Sequence, residues 1–176
     1  MIDVDAEVLM PDGGTIKVGK IRGGGTIADW EGKPQMVKIR NFSKEKEFTI
    51  LEFENGKTLY CLPYLSLLTW DDEIDARYLE PGDKVMGFVN GEKCEIAVAK
   101  TTRVTEVTKR RLNVPNKVKM IYFETYEDKP FVANEIVIGM RKQTGERKRK
   151  RSIKEFNRDM KQIQDISDLK KMLENK

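Results

Sequence analysis

The 176-residue chain contains no histidine. That absence removes the usual general base near neutral pH and the commonest metal ligand. Ser-His-Asp and Cys-His arrangements and the usual zinc hydrolase sites are therefore excluded. Cysteine occurs twice, at Cys61 and Cys94, with no CxxC pair. Neither a disulfide framework nor a zinc site is expected, and two reduced thiols of an intracellular protein are the plain reading. No metal or cofactor is expected. No run approaches the roughly 18 apolar residues of a membrane span, so a membrane partner is not expected either. Met1-Ile2-Asp3-Val4-Asp5 lacks the basic and apolar regions of a secretory signal. A P-loop and a dinucleotide fingerprint are also missing, and Gly23-Gly24-Gly25 is not followed by the helix a phosphate site needs.

What is present suits one core with a strongly solvated surface: 39% hydrophobic and 35% charged residues. Charge divides the chain. Residues 1–140 carry 20 Lys/Arg against 23 Asp/Glu, a net −3, and residues 141–176 carry 13 against 6, a net +7, which together return the overall +4. The expected organisation is a β domain over 1–140, a basic linker over 141–151 and an amphipathic helical tail over 152–176.

The first part reads as strands. Glu7 to Met10, a Pro11-Asp12-Gly13-Gly14 turn and Thr15 to Val18 form a hairpin pattern. Met36 to Arg40 alternates. Phe48 to Phe53 and Thr58 to Leu62 flank Asn55-Gly56, a dipeptide that favours a type I′ hairpin turn. Lys84 to Val89 precedes a second such pair, Asn90-Gly91. Further strands are expected over Cys94–Ala99, Arg103–Thr108, Val118–Thr125 and Phe131–Ile138. About ten short strands with frequent turns predict an all-β sandwich or barrel-like fold.

The tail differs. Arg147, Lys148, Arg149, Lys150 and Arg151 form a basic run. Ser152-Ile153-Lys154-Glu155 then supplies a capping box, a serine N-cap with glutamate three residues on. Ile153, Phe156, Met160 and Ile163 follow at helical spacing and make a candidate partner-helix face. Such a helix docks on another protein or covers an open edge of the β domain. The basic run suits phosphate backbones or an acidic protein surface, or is a solvated linker.

Three stretches, in order, resemble the Hint domains of inteins and hedgehog autoprocessing proteins. Asp5 to Gly13 is similar to the opening strand. Phe53 to Tyr64, with Leu68 to Asp71 after it, resembles the block with a threonine-x-x-histidine centre. It runs into Leu79-Glu80-Pro81-Gly82-Asp83-Lys84-Val85, which is similar to the family's "L-x-P-G-D-x-V" segment. Ile121 to Thr125 and Phe131 to Met140 resemble the closing blocks, including the "F-x-A-N-G-I-x-V-H-N" ending. The resemblance covers about residues 1–140 and implies a Hint fold, with the basic amphipathic helix appended.

The resemblance also implies where processing chemistry would sit. The nucleophile position falls on Met1, whose thioether cannot attack a carbonyl and which has no preceding peptide bond if translation starts there. The threonine and histidine positions fall on Cys61 and Tyr64, and a phenol of pKa near ~10 is a poor acid-base group at neutral pH. The terminal histidine-asparagine pair falls on Gly139-Met140, and Asn134 matches the asparagine inside the strand. These substitutions lead to the expectation of a domain that is not an enzyme. The function expected is that of a structural or adaptor component docked by its tail into other protein subunits of a larger assembly. A phage virion is the preferred context, with cytoplasmic or virion location. The alternatives are a nucleic-acid-binding accessory protein that contacts the backbone through the tail, and a self-cleaving Hint element.

Cys61, flanked by Leu59, Tyr60 and Leu62, reads as small apolar filling or as a retuned nucleophile; Cys94 reads the same way. Trp70 is expected in the core after its Leu-Leu-Thr run. Trp30, between Asp29 and Glu31, is expected to be exposed, as a partner contact or a plain loop residue.

Overall fold

The computed structural model describes residues 1–140 and, in the tail, Arg158, Met160, Lys161 and Lys171. The chain divides into two compact units, Met1–Lys142 and Gln143–Lys176. In the second unit the four described residues are helical and Met160 is 51% exposed. The basic run Arg147 to Arg151 and the positions Ile153, Phe156 and Ile163 lie outside the described residues.

The first unit is built from strands. In chain order they are β1 (Ile2–Asp3), β2 (Glu7–Leu9), β3 (Thr15–Lys17), β4 (Thr26–Ala28), β5 (Pro34–Glu45), β6 (Phe48–Phe53) and β7 (Thr58–Cys61). There follow β8 (Ser66–Leu68), β9 (Glu73–Asp75), β10 (Lys84–Val89), β11 (Glu92–Val104), β12 (Val118–Thr125), β13 (Phe131–Ala133) and β14 (Ile136–Ile138). All pairings are antiparallel, along the path β3-β2-β13-β14-β10-β11-β6-β7-β1-β12-β5-β4, with β8 and β9 branching from β14. The first and last strands thus lie inside the path rather than at its ends.

Two long strands make that path continuous. The first half of β11 pairs with β10, and its second half pairs with β6, after a register shift between Val98 and Lys100. The extra residue of such a bulge bends the strand and re-aims it. Sequence reading split this strand into Cys94–Ala99 and Arg103–Thr108. It is one element that ends at Val104, with a 3-10 turn over Thr108–Arg111. Similarly, β5 pairs with β4 at Pro34–Met36 and with β12 from Val37 to Glu45.

The Leu79 to Val85 motif braces that bend. Pro81 and Gly82 are the central residues of a turn closed by Asp83 N–H donating to Glu80 O at 3.0 Å, with Gly82 at φ +91°. Proline followed by a left-handed glycine is the composition of a type II turn. Gly82 N–H donates to Val98 O and Val98 N–H to Asp83 O, both at 2.8 Å, so the turn clamps the residue where β11 changes partner.

Both faces of β6 are covered. Leu51 and Phe53 enter the main core with Ile2, Val8, Leu59 and Cys61, while Phe48 and Ile50 enter a second cluster with Val104, Val118 and Met120. A near-continuous apolar run is the pattern of a strand buried on both sides.

The two Asn-Gly pairs separate. Asn90 and Gly91 both have positive φ, 52° and 82°, as a type I′ turn requires. At Asn55-Gly56 only Gly56 does, at 83°, and Asn55 Oδ1 accepts from Lys57 N at 2.9 Å. The expected two-residue turn is instead a three-residue loop with its glycine left-handed. Trp70 is also displaced from expectation. It stands on the loop joining β8 to β9, closed by Thr69 N–H donating to Asp72 O at 2.7 Å, and is 56% exposed. Trp30 is half-buried beside Met86, Val132 and Val137, with the Lys93 ammonium 3.8 Å from its ring centroid.

Candidate functional site

Strand β1 is short because it is inserted between two others. Ile2 pairs with Cys61 of β7 on one side and with Ile121 of β12 on the other. This places Met1 directly beside the end of β7, and Leu62 N–H donates to Met1 O at 3.2 Å. The Met1 side chain packs against the cluster of Phe48, Ile50 and Met120. Its thioether sulfur lies 3.5 Å from Ser43 Oγ, which also reaches Glu45 Oε1 at 2.9 Å. Burial holds the Met1 amino group below its ordinary value, opposed by the charges of Cys61 and Glu45.

Cys61 is fully buried. Burial pushes its thiol up from 9.0 to about 12, and the neighbouring positive amino group only partly opposes this. A thiolate is the nucleophile of cysteine chemistry, and this environment suppresses it at neutral pH. Tyr64, the other central position, belongs to the turn after β7, which is closed by Leu65 N–H donating to Leu62 O at 3.0 Å. It is 51% exposed, and its ring stacks on the Arg77 guanidinium at 5.1 Å. Cys61 and Met1 are brought together, whereas Tyr64 is turned to the surface.

The closing end of the motif is positioned by β14. Gly139 N–H donates to Ser66 O at 2.7 Å. A Cβ at residue 139 would stand 2.8 Å from Ser66 Oγ and 2.9 Å from the Glu73 carboxyl group. Those two side chains are themselves joined, with Ser66 Oγ donating to Glu73 Oε2 at 2.9 Å. The space a larger residue would need is filled by this polar pair. Met140 is partly buried against the main core.

Asn134 is structural. With Glu135 it forms the turn between Ala133 and Ile136, both residues left-handed, at φ 51° and 68°. Its Oδ1 accepts from Glu7 N and its Nδ2 donates to Thr58 O, both at 2.8 Å. One side chain thereby ties β13 to β2 and β7.

Sequence reasoning missed Ser43, Glu45, Ser66 and Glu73. Ser66 and Glu73 meet because β8 and β9 form a hairpin in which Ser66 faces Asp75 and Leu68 faces Glu73. Ser43 reaches Met1 only through the β5–β12–β1 pairing. No local spacing carries either fact.

With this geometry in hand, comparison with known proteins is informative on the fold. No family model and no curated protein sequence matches the chain. Solved structures do. The gp41-1 intein superposes with a TM-score of 0.61 at 18% identity, covering 78% of this chain and 96% of that one. A DnaB intein from Synechocystis gives 0.64 at 14%, covering 78% and 96%. The Msm DnaB1 intein splicing domain bound with zinc gives 0.60 at 14%, covering 79% and 99%. The chain therefore has the Hint fold of inteins, with all-β architecture, as the three motifs implied.

The same comparison corrects one expectation. The chain was expected not to be an enzyme because the motif positions lack the family's side chains. Its structural neighbours are inteins, one of them a splicing domain, so this architecture houses self-processing. At 14–18% identity the likeness fixes the fold. Catalysis is not excluded by missing side-chain types at Met1, Cys61, Tyr64, Gly139 and Met140. Among the described residues no helix is long and apolar enough to cross a membrane.

Proposed function

We propose that this Hint-fold chain works as a structural or adaptor component of a larger assembly, docked through residues 141–176, with a phage virion as its setting. The observation that supports this reading is the division of charge: a net −3 over residues 1–140 against +7 over the remaining 36. A domain with a short, strongly basic extension suits attachment to an acidic protein surface. The capping box and the apolar spacing of Ile153, Phe156, Met160 and Ile163 suit a helix that seats in a groove. The test replaces Arg147, Lys148, Arg149, Lys150 and Arg151 with glutamine in the full chain. Size-exclusion chromatography and virion co-purification should find the native chain in the high-mass fraction and the variant free. A native chain that elutes as a monomer and is absent from particles contradicts the proposal. Retention on nucleic acid that collapses between about 50 and 200 mM salt would instead favour the accessory reading, with the same five residues as the contact.

A second reading, self-processing at the Met1 junction, is favoured by one observation: strand pairing sets Ile2 against Cys61 and Leu62 N–H donates to Met1 O, which brings Cys61 beside the Met1 junction. If a peptide is fused ahead of Met1, its last carbonyl is the acyl group that the Cys61 thiol would take, the amide bond breaking with the Met1 nitrogen leaving as the amine. Intact-mass measurement after incubation with a thiol or hydroxylamine should show a chain severed before Met1 if Cys61 accepts the acyl group. An uncut fusion removes this reading.

A further inference from the structure

Away from these junctions, charge is segregated inside the β domain. Residues 100–119 carry seven Lys/Arg against one Glu, a net +6, and the rest of 1–140 carries 13 against 22, a net −9. The fold gathers the basic segment at one corner. It leaves β11 at Val104, which pairs with Phe48, and enters β12 at Val118, which pairs with Glu45. Both ends thus adjoin the turn between β5 and β6. Lys109 Nζ donates to Asn116 O at 2.7 Å, which closes the loop and keeps Arg110 and Arg111 at the same corner as Lys117.

Strand register sharpens this corner into a site. Lys44 of β5 stands directly opposite Lys119 of β12, and both are exposed. Like charges directly opposite on a ladder are destabilising, so the pair is not there to hold the strands together. Phe42 shares the face of Lys44, two residues away. It is 45% exposed, and the Lys119 ammonium lies 5.1 Å from its ring centroid. Lys46 and Lys117, also exposed, each stand one residue beyond the last pair, Glu45 and Val118. The acids of this corner are engaged elsewhere. Glu45, on the opposite face of β5, accepts from Ser43 Oγ at 2.9 Å. Glu47 Oε1 accepts from Glu106 N at 3.4 Å, and Glu106 pairs with Lys109 at 3.7 Å. Among the described residues, Lys44, Lys46, Lys117, Lys119, Arg110 and Arg111 form no salt bridge.

We propose that the exposed face of the β5–β12 ladder at Phe42, Lys44 and Lys119 binds single-stranded nucleic acid, with Lys44 and Lys119 on successive phosphates and a base against Phe42. A cationic track with an aromatic ring beside it is the arrangement that holds single strands without reading their sequence. Charge complementarity selects a polyanion, and the exposed ring selects one that carries flat bases. Lys46, Lys117, Arg110 and Arg111 extend the track beyond the ladder. The net −9 of the remaining surface repels the strand and confines it to this corner. The site belongs to the β domain and is independent of the basic run in the tail.

The test uses the full chain with Arg147, Lys148, Arg149, Lys150 and Arg151 changed to glutamine, so that the tail run contributes nothing. Fluorescence anisotropy follows a labelled oligothymidylate of about 12 nucleotides as salt is raised from about 50 to 200 mM. Saturable, salt-sensitive binding is expected. Lys44→Gln with Lys119→Gln should lower the slope of log affinity against log salt by about 1.4, two phosphate contacts at about 0.7 each for a single strand. The same double variant relieves the opposed charges, so its melting temperature should hold or rise. Phe42→Ala should weaken binding roughly fivefold or more through lost stacking. The proposal is overturned if the tail-neutralised chain does not bind, or if the lysine variant keeps the native salt slope. A double variant that melts lower would assign the lysines to the fold and overturn it too. Duplex of the same length bound as tightly as the single strand would do so as well, since a paired base cannot reach Phe42.

Discussion

The Met1 end and the Gly139 end of the Hint motif are closed by opposite means. At Met1 the space is filled from inside, by a thioether seated among Phe48, Ile50 and Met120 and by a buried thiol at Cys61. At Gly139 it is filled from outside, by the hydrogen-bonded Ser66–Glu73 pair that stands where a side chain at residue 139 would begin. The first junction is held by apolar packing and resists ionisation; the second is held by polar contact and resists bulk. Substitutions at the two ends should therefore fail for different reasons.

The largest effect is expected at the second junction. Gly139→His restores the side chain that the motif resemblance would place there, and its Cβ meets Ser66 Oγ and the Glu73 carboxyl group below 3 Å. Urea unfolding should show a loss of up to about 3 kcal/mol. Truncating Glu73 to alanine in the same chain should recover part of that loss. If Gly139→His is tolerated unaided, the polar pair is not what fills the site.

Asn134→Ala comes next, because it removes the contacts to Glu7 N and Thr58 O and leaves alanine at a left-handed φ. About 2 kcal/mol of stability should go, read from the same urea transition. A loss this large, with no effect specific to processing, separates a structural asparagine from a reactive one.

The first junction should show itself through pH. The Cys61 thiol is pushed up to about 12 in the folded chain, against 9.0 for the ordinary group. Unfolded chains thus release this proton before folded ones, and stability falls as pH rises. The contribution is complete below pH 9 and is lost toward pH 12, at about 1.4 kcal/mol for each pH unit. Cys61→Val should flatten this alkaline limb relative to the native chain, with midpoints measured from pH 8 to pH 11. An unchanged slope places the alkaline sensitivity elsewhere.

The smallest effect belongs to the turn between the two ends. Glu135 holds φ 68°, a conformation that suits glycine. Glu135→Gly relieves that strain at some cost in unfolded-chain entropy. A net gain of about 0.5 kcal/mol is expected as a small rise in melting temperature.

Much of this architecture is legible in the chain. Alternating runs, turn pairs and the Leu79 to Val85 segment gave strands close to those seen, because each is a local property of a few residues. What escaped is non-local. The bulge that fuses Cys94–Ala99 with the residues after it into β11 depends on the Pro81-Gly82 turn clamping Val98. Trp70 looked like core because three apolar or neutral residues precede it, yet the β8–β9 loop carries it outward. Ser66 and Glu73 carry no signal of their own in the sequence, and only the β8–β9 hairpin sets them against Gly139.

The most direct measurement is thiol labelling of the native chain near pH 7.5, resolved residue by residue by mass spectrometry. The chain has two cysteines, one fully buried and one partly exposed. Cys94 should take the reagent readily, and Cys61 should take it only as fast as the fold opens, gaining full reactivity in denaturant. Rapid modification of Cys61 in the folded state would contradict a junction sealed by packing and would point to a thiol poised for acyl transfer beside Met1.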